Sequence, residues 1–459
     1  MPATNNMPNI VFILIDDLGW MDVGCQGSRS YLTPNIDHLA DEGMRFTDAY
    51  AACTVCSPTR ASIMTGKYPA RLNLTDWISG HEHPWAKLRV PDWTQYLPHD
   101  ETALARAFSN AGYNTFFTGK WHLGGRQYYP DKHGFDVNIG GCHRGLPPTY
   151  FSPYGIETLE DGPEGEYLTD RLTDEAIRMM EKSGDEPFFL YLSHYAVHTP
   201  LEAKEEIVQK YLEKDANKHL NEVYAAMIES TDRSVGRVLH KLEDMELAED
   251  TIVVFFSDNG GLTRVTSNAP LRHGKGSPYE GGHRVPLIIR WPGHADAGST
   301  CQEPVISNDF YPTLLEACGL PPMPRQHCDG RSLVPLLKGE ERLHREALYW
   351  HYPHYHFSTP YAAVRSGDYK LIEYFEGRRV ELYNLADDIG ESNDLAEAEE
   401  DRVAELRASL HAWQESVDAQ MPPDNPDFRP EQRYRRRRHD GTFDELAECG
   451  REDQKNPAQ

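Results

Sequence analysis

The sequence has no long uninterrupted hydrophobic run, and this excludes a membrane-spanning helix, which takes about 20 consecutive apolar residues. The first apolar stretch, Ile10 to Ile15, ends in Asp16 and Asp17 and is too short for a secretory signal core, so it reads as a buried strand. The expected location is therefore cytoplasmic, or periplasmic or secreted if a leader has been trimmed. Cysteine is sparse, with eight in 459 residues, which excludes a disulfide scaffold. Positive charge is short as well: 46 Lys and Arg face 72 Asp and Glu, for a net charge of -26. Nucleic acid and anionic membrane need a basic face and are excluded as general partners. An anionic substrate would need cations gathered locally against this field. No repeat of solenoid period is present.

What is there is an alternation of strand and helix. Apolar runs begin at Asn9 (NIVFILI), Thr115 (TFFTG), Phe188 (FFLYLSH), Thr251 (TIVVFFSD) and Arg284 (RVPLIIRWPG). Runs that are apolar throughout suggest strands covered on both faces. Helices are predicted over Pro34–Glu42, with Thr33 as N-cap and Gly43 as stop, and over Glu101–Asn110, Leu168–Lys182, His219–Met245 and Phe310–Ala317. The pattern predicts an α/β fold, a large, mainly parallel, doubly wound sheet sandwiched by helices. Residues 1–337 would form this large domain. Residues 338–421 read as a small α+β subdomain, with strands over Ala347–Trp350, Ala362–Glu373 and Arg378–Tyr383, turns at Gly367-Asp368 and Gly377, and a helix over Asp401–Val417. Residues 422–459 form a charged extension with an arginine run from Arg435 to Arg438, expected to wrap the surface or stay disordered.

Four strands deliver polar residues at their carboxyl ends: Asp16 and Asp17, Lys120 and His122, His198, and Asp258 with Asn259. That edge is where open α/β sheets bind ligands. Each Asp or Asn pair followed by Gly could be a turn. Together, though, the carboxylates would repel unless a cation sat among them, and hard oxygen donors suit Ca²⁺ or Mg²⁺. Lys120 and Arg60 could be local cations of the kind an anionic substrate would need; individually each could be solvated surface charge, and each histidine a structural hydrogen bonder.

The segment CSPTRASIMTG runs from Cys56 to Gly66. Pro58 suits a first helical turn, which places Cys56 at a helix N-terminus that favours anions. Cys53 and Cys56 also form a C-x-x-C, open to a dithiol oxidoreductase reading. The segment resembles the signature of the type I sulfatases, the arylsulfatase family of the alkaline phosphatase superfamily, whose C-x-P-x-R core directs oxidation of the cysteine to Cα-formylglycine. GKWHLG (Lys120, His122), VHTP (His198), SDNGG (Asp258, Asn259) and GKGSPYEGGHRVPLIIRWPG (Lys275) resemble further family blocks in the same order.

The resemblance implies hydrolysis of a sulfate ester by a formylglycine gem-diol at Cys56, with one calcium ion held by Asp16, Asp17, Asp258, Asn259 and the modified Cys56. Lys120 and Lys275 would hold sulfate oxygens, Arg60 would orient the diol, His198 would protonate the leaving group, and His122 would take the proton that releases sulfate. A formylglycine-generating enzyme is the implied maturation partner and a sulfated small molecule or glycan the implied substrate, with Trp77, His81, His83 and the loop run His351 to His356 as pocket candidates. The alternatives are a phosphonate or phosphate ester hydrolase of the same superfamily, and a non-catalytic glycan-binding relative, which would show erosion at a metal or nucleophile position.

Overall fold

The computed structural model describes residues 7–214, 221–340, 342–433, 435–437 and 443–445. Its main sheet holds β1 (Asn9–Ile15), β2 (Met44–Phe46), β3 (Asn114–Gly119), β4 (Val137–Ile139), β5 (Phe188–Ser193), β6 (Thr251–Ser257), β7 (Leu287–Arg290) and β8 (Ser299–Cys301). Their order is β4-β3-β5-β1-β6-β7-β2-β8. All the strands run parallel except β7, which is antiparallel to both its neighbours. The central strands β1, β5 and β6 are buried at every position, as their unbroken apolar runs require.

Helices cover both faces. One layer packs α1 (Pro34–Glu42), α4 (Leu168–Ser183) and α5 (Glu205–Lys214) around α6 (Glu222–Asp244). The other packs α2 (Cys56–Thr65) against α3 (Leu104–Asn110) and α7 (Phe310–Ala317). Phe12 at the sheet centre stacks on Tyr191 at 5.0 Å and meets Phe310 edge-on at 5.1 Å.

Three helix starts differ from the sequence reading. Thr33 stands at the N-cap of α1, but its Oγ1 accepts from Gly24 N instead of capping; Asp232 of α6 takes the N–H groups of Asn35 and Ile36, each at 2.9 Å. The helix predicted from Glu101 begins at Leu104, because Glu101 binds Lys67 and Thr102 N donates to Gln326. α6 begins at Glu222, with the Asn221 side chain accepting from Tyr224 N; His219 lies outside the described residues.

The C-terminal part holds an antiparallel sheet of β9 (Leu348–Tyr352), β10 (Tyr361–Ser366), β11 (Tyr369–Tyr374) and β12 (Val380–Asn384), covered by α8 (Glu400–Ser416). It is tied to the main domain by a buried ion cluster: Lys370 Nζ lies 3.0 Å from both Glu280 Oε1, in the segment before β7, and Glu391 Oε1. His351 and Tyr352 belong to β9 and not to a loop. The extension then wraps the surface, with Arg89 N donating to Pro423 O, Arg429 N to Trp85 O, and the Arg429 guanidinium over the Trp85 ring. It continues to a hairpin of β13 (Arg435–Arg437) and β14 (Phe443–Glu445); Arg438 and Cys449 lie outside the described residues. Among those residues no helix is long and apolar enough to cross a membrane, and the cysteines are free.

Candidate active site

In the sheet, Gly119 and Leu14 flank Ser193, and Ile15 pairs with Ser257, so the ends of β3, β5, β1 and β6 lie side by side. Lys120 and His122, His198, Asp16 and Asp17, and Asp258 and Asn259 therefore emerge at one edge. Asp17 and His122 adopt left-handed backbone conformations, φ 61° and 57°. Residues with side chains seldom do so, and such conformations collect at functional sites.

α2 brings Cys56 to the same edge as its first residue. Cys56 Sγ lies 3.6 Å from Asp16 Oδ1 and 3.6 Å from Lys275 Nζ. Lys275 Nζ also sits 2.6 Å from Asp17 Oδ1, and Lys120 Nζ sits 2.6 Å from Asp16 Oδ2. Arg60 reaches Asp258 Oδ2 through Nε at 2.8 Å and Nη2 at 2.7 Å, while Nη1 donates to Lys120 O and Ser193 Oγ. Three buried carboxylates are thus interleaved with the buried cations Arg60 and Lys120 and the partly buried Lys275.

The electrostatics follow from this packing. Burial pushes the Asp16 carboxyl up to about 7, opposed by Lys120 and reinforced by Asp258 and Asp17. Burial acts on Asp17 in the same sense, but Lys275, His198 and Lys120 outweigh it and hold Asp17 well below the usual carboxylate range. Burial pushes the Cys56 thiol up to about 12 against the pull of Lys120 and Lys275. Such a thiol is protonated at neutral pH and is a poor nucleophile. Cys53 is raised by burial too, so the C-x-x-C lacks the lowered thiol that dithiol exchange uses.

Both histidines are neutral. His122 is held well below its ordinary value by burial and then by Lys120; its Nε2–H donates to Ile78 O, and Nδ1 is left buried without a partner. His198 is lowered to about 3 by burial and Lys275. Its Nδ1–H donates to Thr199 O at 2.8 Å, and Nε2 faces Asp17 Oδ2 at 3.7 Å.

Asp16, Asp17, Cys56 and His198 each place one ligand atom within 4.8 Å of the others, a cluster that can hold a metal ion. Asp258 stands at its rim, with Oδ1 accepting from Asp17 N at 3.2 Å. Asn259 donates Nδ2 to Asp17 Oδ1, and its Oδ1 is buried without a partner. An orphaned amide oxygen beside three crowded carboxylates fits a hard divalent cation.

The family model described as Sulfatase matches residues 8–320. The chain belongs to the sulfatase family. A second model, N-sulphoglucosamine sulphohydrolase, C-terminal, matches residues 273–420. A sulfatase of Formosa agariphila is 32% identical over 494 residues, covering 89% of this chain and 89% of the relative. Arylsulfatase A of Homo sapiens is 32% identical over 414 residues, covering 82% of this chain and 76% of the relative. The crystal structure of Ps i-CgsB in complex with k-i-k-neocarrahexaose superposes with a TM-score of 0.78 at 32% identity, over 92% of this chain and 94% of that one. The fold is thus the alkaline phosphatase-like fold of sulfatases. This sulfatase is a sulfuric ester hydrolase, as the named relatives are sulfatases and not phosphonate or phosphate ester hydrolases.

The pocket candidates divide. His351 donates to Gln420 O, Tyr352 OH donates to Asp76, His354 bonds Thr75 Oγ1, and Tyr355 OH donates to Glu376; these four pack the small sheet against its neighbours and do not line the site. His356, His81 and Trp77 stand nearer the catalytic cluster, and His83 packs on Tyr355. Four contributors escaped the sequence reading. Ser193 holds Arg60, Ser57 Oγ bonds His122 O and Ile78 N, the Ile78 carbonyl fixes the His122 ring, and Gly145 packs on that ring so closely that a Cβ would fall 2.5 Å from Cε1. Ser193 is the last residue of β5, so the strand-end pattern could have found it. The Ile78 carbonyl leaves no mark in the sequence.

Proposed function

We propose that this sulfatase releases inorganic sulfate from a sulfated carbohydrate, with Cys56 matured to Cα-formylglycine and calcium held by Asp16, Asp17, Asp258, Asn259 and the matured residue 56. The observation that carries the reading is the place of Cys56 Sγ, 3.6 Å from both Asp16 and Lys275 at a buried helix N-terminus, with its thiol pushed up to about 12. Burial holds the thiol of an unmodified cysteine there protonated, and the C-S-P-T-R sequence resembles the element that a formylglycine-generating enzyme recognises. Bound and matured, the two groups supply Lewis-acid neutralisation of sulfate oxygens and a hydrated aldehyde oxygen as nucleophile.

The chain's own residues do the rest. Lys120 and Lys275 bind the ester's sulfate oxygens, the main electrostatic task for a charged ester. Arg60 anchors Asp258 and holds that edge of the site rigid. His198, oriented through Thr199 O, presents Nε2 to the site; the charge of a bound sulfate favours its protonation, and it then gives that proton to the departing alcohol oxygen. His122, fixed by Ile78 O, keeps Nδ1 unprotonated to accept the proton lost on sulfate release. The oligosaccharide complex of Ps i-CgsB supports a carbohydrate as the organic half. We assign catalysis to residues 1–337, a supporting role to 338–421, and an accessory role to the extension 422–459.

The test is sulfate release by protein co-produced with a formylglycine-generating enzyme, against a Cys56→Ala control, on an aryl sulfate and a panel of sulfated sugars. Release that requires Cys56 and falls on calcium chelation supports the proposal. No release from any substrate, with residue 56 confirmed as formylglycine by mass spectrometry, defeats it.

A further inference from the structure

The extension carries an arginine to His81, one of the candidate pocket residues. Arg436 of β13 is half-buried and places Nη1 3.1 Å from His81 Nε2. The His81 ring meets Trp77 edge-on at 4.8 Å and lies 5.8 Å from the His356 ring. Both neighbours lead into the catalytic cluster. Trp77 precedes Ile78, whose carbonyl holds His122. His356 lies against Gly276, where a Cβ would come 2.7 Å from its ring, and Gly276 follows Lys275. Burial, and after it the neighbouring His81 ring and the cations Lys275 and Arg436, keep His356 neutral. Arg436 and Lys275 thus both act on one histidine.

Two buried polar atoms around the His81 ring have no partner, His356 Nδ1 and Trp77 Nε1; His356 is 7% exposed. An indole N–H, an imidazole nitrogen and a guanidinium are together suited to an oxyanion and the hydroxyls around it. From His81 a groove of about 1070 Å³ continues past Arg89 and Trp93, with Asn425 and Asp427 of the extension in its wall. The chain has a net charge of -26, yet the extension places Arg433, Arg435, Arg436 and Arg437 within five residues of sequence. Cations concentrated in an acidic protein act on a local anion.

We propose that Arg436, with His81 and His356, forms a second anion-binding position beside the scissile-sulfate site, taking another sulfate or a carboxylate on the same oligosaccharide. The proposal rests on the sulfated-carbohydrate reading and narrows it to multiply anionic oligosaccharides. The β13–β14 hairpin positions the arginine, and the groove takes the rest of the sugar chain.

The experiment uses full-length matured enzyme, wild type and Arg436→Ala, on three substrates: a small aryl sulfate, a disulfated disaccharide, and a monosulfated disaccharide with one carboxylate. For the preferred doubly anionic sugar, kcat/KM relative to the aryl sulfate should fall about tenfold in Arg436→Ala, through KM and not kcat, and the gap should close at high salt. Arg436→Lys should recover part of the loss. Arg402→Ala, an equal loss of charge on α8, should leave the ratio as it was. The sugar that suffers more identifies the anion as sulfate or carboxylate. Equal changes on all three substrates, no change on any, or faster turnover on all of them would overturn the proposal, the last pointing to a latch over the site. Wild-type release from the aryl sulfate but from neither sugar would instead overturn the carbohydrate reading and this proposal with it.

Discussion

The ammonium of Lys275 lies 3.6 Å from the sulfur of Cys56, across a sequence separation of 219 residues. The same nitrogen lies 2.6 Å from Asp17 Oδ1, so one side chain joins Cys56 to the carboxylate cluster. Lys275→Ala should lower kcat/KM on an aryl sulfate by about 100-fold or more, the usual loss when a preorganised charge is removed from an anionic transition state. Steady-state rates decide this; a variant within about threefold of wild type removes Lys275 from sulfate binding.

His198 presents Nε2 to the site with Nδ1 fixed on Thr199 O. A group that protonates the leaving oxygen matters most when that oxygen is a poor leaving group. His198→Ala should lose about 10²-fold or more on a sugar sulfate and much less on an activated aryl sulfate. Equal losses on both would sink the assignment as general acid.

Asp16, Asp17 and Asp258 are buried within one cluster, and the Asn259 Oδ1 beside them has no partner. A cation bound there stabilises the folded state by mass action. Calcium chelation should lower the melting temperature by about 3 °C, as expected for an ion present at about 100 times its Kd. Asp17→Asn should blunt that response. A melting curve unmoved by chelator and by added calcium would count against the site.

Lys370 is buried between Glu280 and Glu391, 3.0 Å from each. Lys370→Met would leave two carboxylates buried without their cation and should cost about 3–5 kcal/mol. Adding Glu391→Gln should recover part of the loss. Urea unfolding of the single and double variants measures both; an unchanged midpoint in Lys370→Met shows that the cluster does not hold the two parts together.

Buried neutral histidines make the fold acid-sensitive. Burial lowers His351 from 6.5 to about 4 and His194 from 6.5 to about 3. Because the unfolded chain binds the proton more tightly, their stabilisation is complete above about pH 6.5 and is lost as pH falls toward the folded values. For His351 alone the gap corresponds to about 3 kcal/mol. Urea midpoints should drop between pH 7.5 and 5, and His351→Gln should flatten that drop. A midpoint constant over that range contradicts the burial of these rings as neutral groups.

The strand ends were legible because they are local. An apolar run that stops at Asp16-Asp17 or at Asp258-Asn259 carries in its own letters both the strand and the residues that cap it. C-S-P-T-R is local too, and it marked Cys56 before any contact was known. Helix starts were read less well. Thr33 has the chemistry of a cap, yet Asp232, almost 200 residues away, supplies the carboxylate that takes the helix N–H groups. The run from His351 to His356 looked like a loop of ligands because its composition is polar and aromatic; pairing with β10 made its first two residues a strand.

The sequence by itself determined which side chains stand at the strand ends and that Cys56 opens a helix, since backbone periodicity and turn chemistry act over a few residues. Only the tertiary structure decided which of those side chains meet. The order β3-β5-β1-β6 brings Lys120 to Asp16, and the chain's return at Gly261 brings Lys275 to Asp17 and Cys56. Strand order is a matter of long-range burial and crossover geometry, which no short stretch of sequence contains. The same holds for Arg436: its charge is written in the sequence, but its place on His81 comes from how the extension packs along Trp85 and Arg89.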